Sequence, residues 1–188
     1  MTALLASFFF IFAAEMGDKT QLVALAFATR YNARTVLIGV TVATLLVHLF
    51  SVLVGEILGI NLPAFWIGIA AGLAFIGFGL WTLRGDEIND EEKVKEHRFG
   101  PIVTVGITFF LAEIGDKTML ATITLSSQYQ QFVPVWIGST LGMVVADGLA
   151  VILGTVLGKR LPEKLIKIGA ALLFIGTGIF TLVETIFF

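Results

Sequence analysis

The stretch AEMGDKT, Ala14 to Thr20, returns as AEIGDKT at Ala112 to Thr118, an offset of 98 residues with one difference in seven positions. Self-similarity at a fixed spacing marks duplication of a structural unit. At an offset of 99 the register continues: Ile38–Gly59 aligns with Ile137–Gly158, and LPAFWIGIAAGLAFIGFGLWTL from Leu62 aligns with LPEKLIKIGAALLFIGTGIFTL from Leu161.

Around the two motifs the chain is built for a bilayer. Hydrophobic residues make up 57% of the 188 and charged residues only 14%, far from the mix of a water-soluble domain. Apolar runs cover residues 2–29, 35–59, 62–83, 101–126, 133–158 and 165–188, each long enough to cross the hydrocarbon core. The expectation is an all-α integral membrane protein of six transmembrane helices. It divides into a three-helix repeat over residues 1–83, a charged linker over 84–100 and a second three-helix repeat over 101–188. With an odd number of spans per unit, the second copy enters the membrane upside down. Such inverted repeats, related by a pseudo-two-fold axis in the membrane plane, are common among alternating-access transporters.

Charge placement sets the expected orientation. Arg30, Arg34, Arg84, Lys93, Lys95, Arg98, Lys159, Arg160, Lys164 and Lys167 fall on one face, and the opposite loops hold no Lys or Arg. The positive-inside rule makes the basic face cytoplasmic and puts both termini outside. Trp66, Trp81, Trp136, Tyr31 and Tyr129 fall near span ends, where aromatic rings sit at headgroup level. The net charge of −2 carries no basic signature, so nucleic acid is not an implied partner. Without cysteine there is no disulfide, thiolate metal site or cysteine nucleophile.

The motifs place Glu15, Asp18 and Lys19 midway along the first span and Glu113, Asp116 and Lys117 midway along the fourth. An Asp or Lys at bilayer centre costs roughly 2.5–3.5 kcal/mol on insertion scales, so these groups need a polar interior and partners. Glu and Asp three apart share a helix face, and the two-fold relation brings both pairs together as four carboxylates. Oxygen-only clusters suit hard or borderline cations such as Ca²⁺, Mn²⁺ and Mg²⁺, and protons compete for the same oxygens. Gly17 and Gly115 permit close helix approach or a local break. Thr20 and Thr118 add hydroxyls, and Lys19 and Lys117 are placed to pair with the glutamates four residues earlier. His48 and Asp147 occupy equivalent positions in the second and fifth spans. Asp147 is the candidate for coupling proton movement to the cation; His48 is a candidate relay or a structural hydrogen-bonding residue.

At every specified position EMGDKT and EIGDKT fit E-x-G-D-K/R-S/T, and the chain resembles the second Ca²⁺:H⁺ antiporter family, whose members carry two copies of that pattern. The family includes Golgi, chloroplast and bacterial manganese or calcium transporters. The resemblance implies proton-coupled export of Mn²⁺, or secondarily Ca²⁺, from the cytosol across a bacterial inner (plasma) membrane. It also implies Glu15, Asp18, Glu113 and Asp116 as the binding carboxylates. The metal ion and protons are then transported partners rather than cofactors, and homo-oligomerisation stays open. The competing readings are a cation channel or importer with the same acidic centre, an intramembrane hydrolase and a structural assembly factor. No Ser-His or zinc-protease pattern supports an enzyme, and the Gly-Asp dipeptides lack the flanking glycine of intramembrane aspartyl proteases.

Overall fold

A computed structural model of the chain describes residues 1–84, 100–157 and 163–187. Residues 85–99 of the expected charged linker, with Lys93, Lys95 and Arg98, lie outside the described residues, as do Lys159 and Arg160. Among the described residues there are eight helices: α1 (Thr2–Glu15), α2 (Lys19–Ala28), α3 (Ala33–Asn61), α4 (Ala64–Arg84), α5 (Pro101–Glu113), α6 (Lys117–Tyr129), α7 (Phe132–Leu157) and α8 (Glu163–Phe187).

Four stretches, Ala33–Asn61, Ala64–Arg84, Phe132–Ile152 and Ile168–Phe187, are long and apolar enough to cross a membrane. At 1.5 Å per residue the 29 residues of α3 extend about 43 Å, more than a hydrocarbon core of roughly 30 Å. The two motif-bearing stretches depart from the continuous helices expected of them. Each is broken at the motif, over residues 16–18 and 114–116. The cause is local: Gly17 and Gly115 have φ of 79° and 80°, in the left-handed region that glycine enters without steric penalty. Met16 N and Ile114 N close the preceding helices onto the Phe12 and Phe110 carbonyls. Asp18 and Asp116 then turn into extended backbone and start α2 and α6 as N-caps. The 14 residues of α1 and the 10 of α2 would together extend about 36 Å.

Helix α1 packs along α7 as α5 packs along α3, α2 lies on α7 as α6 lies on α3, and α4 pairs with α8. Glycines permit the close crossings. A Cβ on Gly39 would lie 2.7 Å from Val105 Cβ and 2.9 Å from the Ile102 carbonyl, while one on Gly138 would meet the Leu4 carbonyl and lie 3.1 Å from Ser7 Cβ. Gly39 corresponds to Gly138 at offset 99, and Leu4 and Ser7 to Ile102 and Val105 at offset 98. The same reciprocity holds between α4 and α8. A Cβ on Gly79 would lie 3.0 Å from the Ala171 carbonyl, and one on Gly178 would lie 2.6 Å from the Gly72 carbonyl.

Polarity is distributed as a lipid solvent requires. Phe50, Ile57, Leu172 and Phe180 face outward, while Glu15, Asp18, Glu113, Asp116 and Asp147 are buried. Phe27, Val40 and Phe109 form one apolar cluster between α2, α3 and α5, and Phe75, Leu125 and Phe174 form part of another. Trp136 does more than sit at an interface: its indole N–H donates to the Leu45 carbonyl at 3.0 Å, joining α7 to α3.

Candidate functional site

The two breaks set the site. Each places a glutamate at the last residue of one short helix and an aspartate at the cap of the next, with glycine between them. Thr20 Oγ1 donates to Glu15 Oε1, and Thr118 Oγ1 donates to Glu113 Oε2 at 2.7 Å. In both cases the other glutamate oxygen, Glu15 Oε2 and Glu113 Oε1, is buried and receives no hydrogen bond from an N–H or hydroxyl donor among the described residues, Glu15 instead lying against the Asp147 carboxyl. Each threonine thus fixes one oxygen of its carboxyl and leaves the second directed into the interior.

The lysines reach across the molecule. Lys117 Nζ lies 2.6 Å from Asp18 Oδ1, and Lys19 Nζ lies 3.8 Å from Asp116 Oδ1. Pairing along one helix with the preceding glutamate was the expectation from spacing. The breaks remove the continuous turn that such an i,i+4 contact needs, and each amine faces the aspartate of the other motif. Residues 18 and 116, and 19 and 117, are repeat-equivalent, so the two ion pairs are one contact made twice. The contact of Thr44 Oγ1 with Met143 Sδ at 3.3 Å joins two residues 99 positions apart, themselves equivalent.

Glu15 lies within electrostatic range of Asp18, Asp116 and Lys117, and Glu113 within range of Glu15, Asp116 and Asp18. The four motif carboxyls predicted from sequence therefore share one interior region. Asp147 joins them: it is fully buried, and its carboxyl lies within hydrogen-bonding reach of the Glu15 carboxyl. His48 is fully buried as well, and among the described residues neither ring nitrogen has a hydrogen-bond partner. Among the described residues, no three His, Asp or Glu side chains converge at metal-binding distance. Instead, lysine amines stand against the aspartates.

Charge does not balance there. Lys117 and Lys19 each stand against one aspartate, while Glu15, Glu113 and Asp147 are buried in the same region, so among these seven groups the carboxyls outnumber the amines by three. Uncompensated charge in a low-dielectric interior is prohibitive, so protons or a cation must make up the difference.

Sequence reading missed Gln21. Its Oε1 accepts from Gly17 N at 2.8 Å, and its Nε2 donates to the Ala146 carbonyl on α7 at 3.0 Å. A signal existed, since offset 98 sets Gln21 against Met119, polar against apolar directly after an otherwise repeated motif. The methionines near the motifs act as soft acceptors within the protein. Met119 Sδ accepts from Gly115 N at 3.2 Å, and Met16 Sδ accepts from Gln21 Nε2 at 3.5 Å.

An all-helical membrane protein with a buried acidic centre at two helix breaks belongs, as a class, with proteins that move cations. The comparison with known families narrows this: residues 3–90 and 101–187 match the family described as divalent cation/proton antiporter GDT1. The chain belongs to that family. It is 35% identical over 164 residues to a Vibrio cholerae protein named "Putative manganese exporter", covering 86% of this chain and 81% of that one. It is 32% identical over 194 residues to a GDT1-like protein of Synechocystis, covering 93% of each. A chloroplastic GDT1-like protein of Oryza sativa is 32% identical over 201 residues, covering 90% of this chain and 58% of that one. No solved structure matches the chain.

Proposed function

We propose that this protein exports a divalent cation, Mn²⁺ first and Ca²⁺ second, from the cytosol in exchange for protons, by alternating access around the acidic centre. The carrying observation is the excess of buried carboxyls over lysines where two helices break. Glu15, Asp18, Glu113 and Asp116 bind the cation, with Glu15 Oε2 and Glu113 Oε1 as oxygens already turned inward. The cation displaces the Lys117 and Lys19 amines from Asp18 and Asp116, so the lysines offset the acidic charge whenever the cation has left. Thr20 and Thr118 orient the glutamates. Asp147, beside Glu15, holds a proton that the arriving cation expels, coupling the two fluxes electrostatically; His48 has the supporting place in the other repeat. Manganese is ranked first on the resemblance of the motifs and on the name of the Vibrio relative.

In this reading α1 with α2 and α5 with α6 are interrupted spans, giving six in total. Residues 1–83 and 101–188 are inverted repeats joined by a cytoplasmic linker over 84–100, in a bacterial inner membrane with both termini outside. The reciprocal glycine crossings and the doubled ion pair support that symmetry. Broken helices meeting at mid-membrane are a recurrent way to present ion sites in secondary transporters.

The test uses purified protein in proteoliposomes with an imposed pH gradient and Mn²⁺ on one side. Metal movement should follow the proton gradient and drive proton counterflow. Mn²⁺ flux indifferent to the gradient would identify a channel instead. Reporter fusions at Asp90 and Phe188 check the topology, and a cytoplasmic signal at Phe188 would reverse it.

A further inference from the structure

The two motifs are nearly identical in sequence, yet only one of the two residues at the position after their threonines carries an amide. The Gln21 side chain is 4% exposed and spans two elements. Through Oε1 it holds the Gly17 amide inside the first break, and through Nε2 it holds the carbonyl of Ala146, one residue before Asp147 on α7. Its repeat-equivalent, Met119, reproduces the first arm with Sδ on the Gly115 amide at 3.2 Å. It cannot reproduce the second, because a thioether has no hydrogen to donate. The residue equivalent to Ala146 is Val47 on α3, and no donor from position 119 can reach its carbonyl.

We infer that Gln21 is a positioning residue: its carboxamide latches the first break to α7 and fixes Glu15 and Asp18 relative to Asp147, where the equivalent position of the second motif holds Met119, which has no hydrogen to donate. This rests on the exchange reading above. A site that must release its cargo needs one part to move relative to another, and the latch decides which part stays. The first motif is tied to α7 at the break itself, next to Asp147, whereas the second motif's side-chain bond to α3 comes further along α6, from Ser126 Oγ to the Val52 carbonyl at 3.0 Å. Gln21 need not touch the cation to govern affinity, since it sets where the inward-turned Glu15 oxygen and the Asp147 carboxyl meet.

The decisive variant is Gln21→Met, which imports the second motif's own residue, keeps an acceptor for the Gly17 amide and deletes the cross-helix donor. Hydrogen exchange on the wild-type protein in nanodiscs, with no Mn²⁺ added, should show slower exchange around Gly17 than around Gly115. Gln21→Met should remove that difference. In proteoliposomes the same variant should raise the Mn²⁺ concentration for half-maximal transport about tenfold, with the maximal rate held within about twofold, as expected when a buried carbonyl loses its donor. If Gln21→Met does not assemble, Gln21→Leu carries both measurements, because it keeps comparable bulk while deleting the donor to the Ala146 carbonyl. Equal exchange at the two motifs in the wild type, or half-saturation unchanged in the variant, overturns the inference. Wild-type vesicles that move no Mn²⁺ would instead sink the proposed function and leave the exchange measurement to decide on the latch.

Discussion

The two breaks share their chemistry and differ in how they are held. In both, a threonine fixes one glutamate oxygen and a lysine crosses to the opposite aspartate. Yet Lys117 closes to 2.6 Å on Asp18 while Lys19 stays 3.8 Å from Asp116. Beyond the motifs the divergence widens. On α6 the turns after Thr118 bring Thr122 and Ser126, both buried, whereas the equivalent positions on α2 are Ala24 and Ala28. Asp147 stands on α7 where His48 stands on α3. On the proposed exchange, the groups that hold the cargo would serve both sides of the membrane, a requirement that falls on the repeated motifs and not on the residues around them.

The sharpest way to break this comparison is to neutralise the shared acids singly. Asp18→Asn and Asp116→Asn should each reduce Mn²⁺ transport to background with normal membrane expression, since each removes an anionic ligand from one site. Wild-type rates in either variant, over a range of Mn²⁺ concentrations, would end the shared-site proposal. Next in size is the Asp147 and His48 pair. Asp147→Asn should cut Mn²⁺-driven proton movement by about tenfold or more, and His48→Gln by much less, because a buried carboxyl takes up cation charge directly. Full coupling in Asp147→Asn would return the proton to the motif carboxyls alone.

The lysines give a smaller, graded effect. Removing one partner of a buried pair is strongly destabilising because it strands the other charge, on the order of 3–5 kcal/mol for a fully buried pair. Lys117→Met should therefore lower the thermal midpoint of the purified protein more than Lys19→Met, in line with the tighter and more deeply buried contact. Equal losses would mean that the two distances carry no energetic difference. Smallest and most symmetric are Gly39→Ala and Gly138→Ala, each adding a methyl group where backbone already crowds. Both should destabilise by about 1–3 kcal/mol, measured by thermal unfolding in detergent. A large gap between them would show that the two crossings are not mechanical equals.

Much of this arrangement could be read before any coordinates, and the reason is the bilayer. Glu15, Asp18, Glu113 and Asp116 stand out because hydrocarbon tolerates a charge only where it is partnered, and each is buried in the structure. The duplication supplied the second copy of each group and hence the idea that they meet. Individual contacts were less accessible. The turn at Gly17 could be suspected from glycine alone, but the consequence for Lys19 depends on the helix direction changing there, and spacing rules for an unbroken helix sent it to Glu15. Gln21 escaped for a related reason. Its partner, Ala146 O, is a backbone carbonyl 125 residues away, and sequence gives no side-chain signature for such an acceptor.

The α4–α8 crossing has a history written into its contacts. Gly178 rests on Gly72 while Gly79, the counterpart of Gly178, rests on Ala171, the counterpart of Gly72. Two copies of a single half-length chain, related by a two-fold axis, would make this seam with themselves. In such an ancestor one codon change at either position altered both ends of the seam at once, so selection for a tighter fit acted twofold on every substitution. In a single chain carrying both halves each end can vary alone, and Ala171 standing where the other repeat has Gly72 accords with that independence.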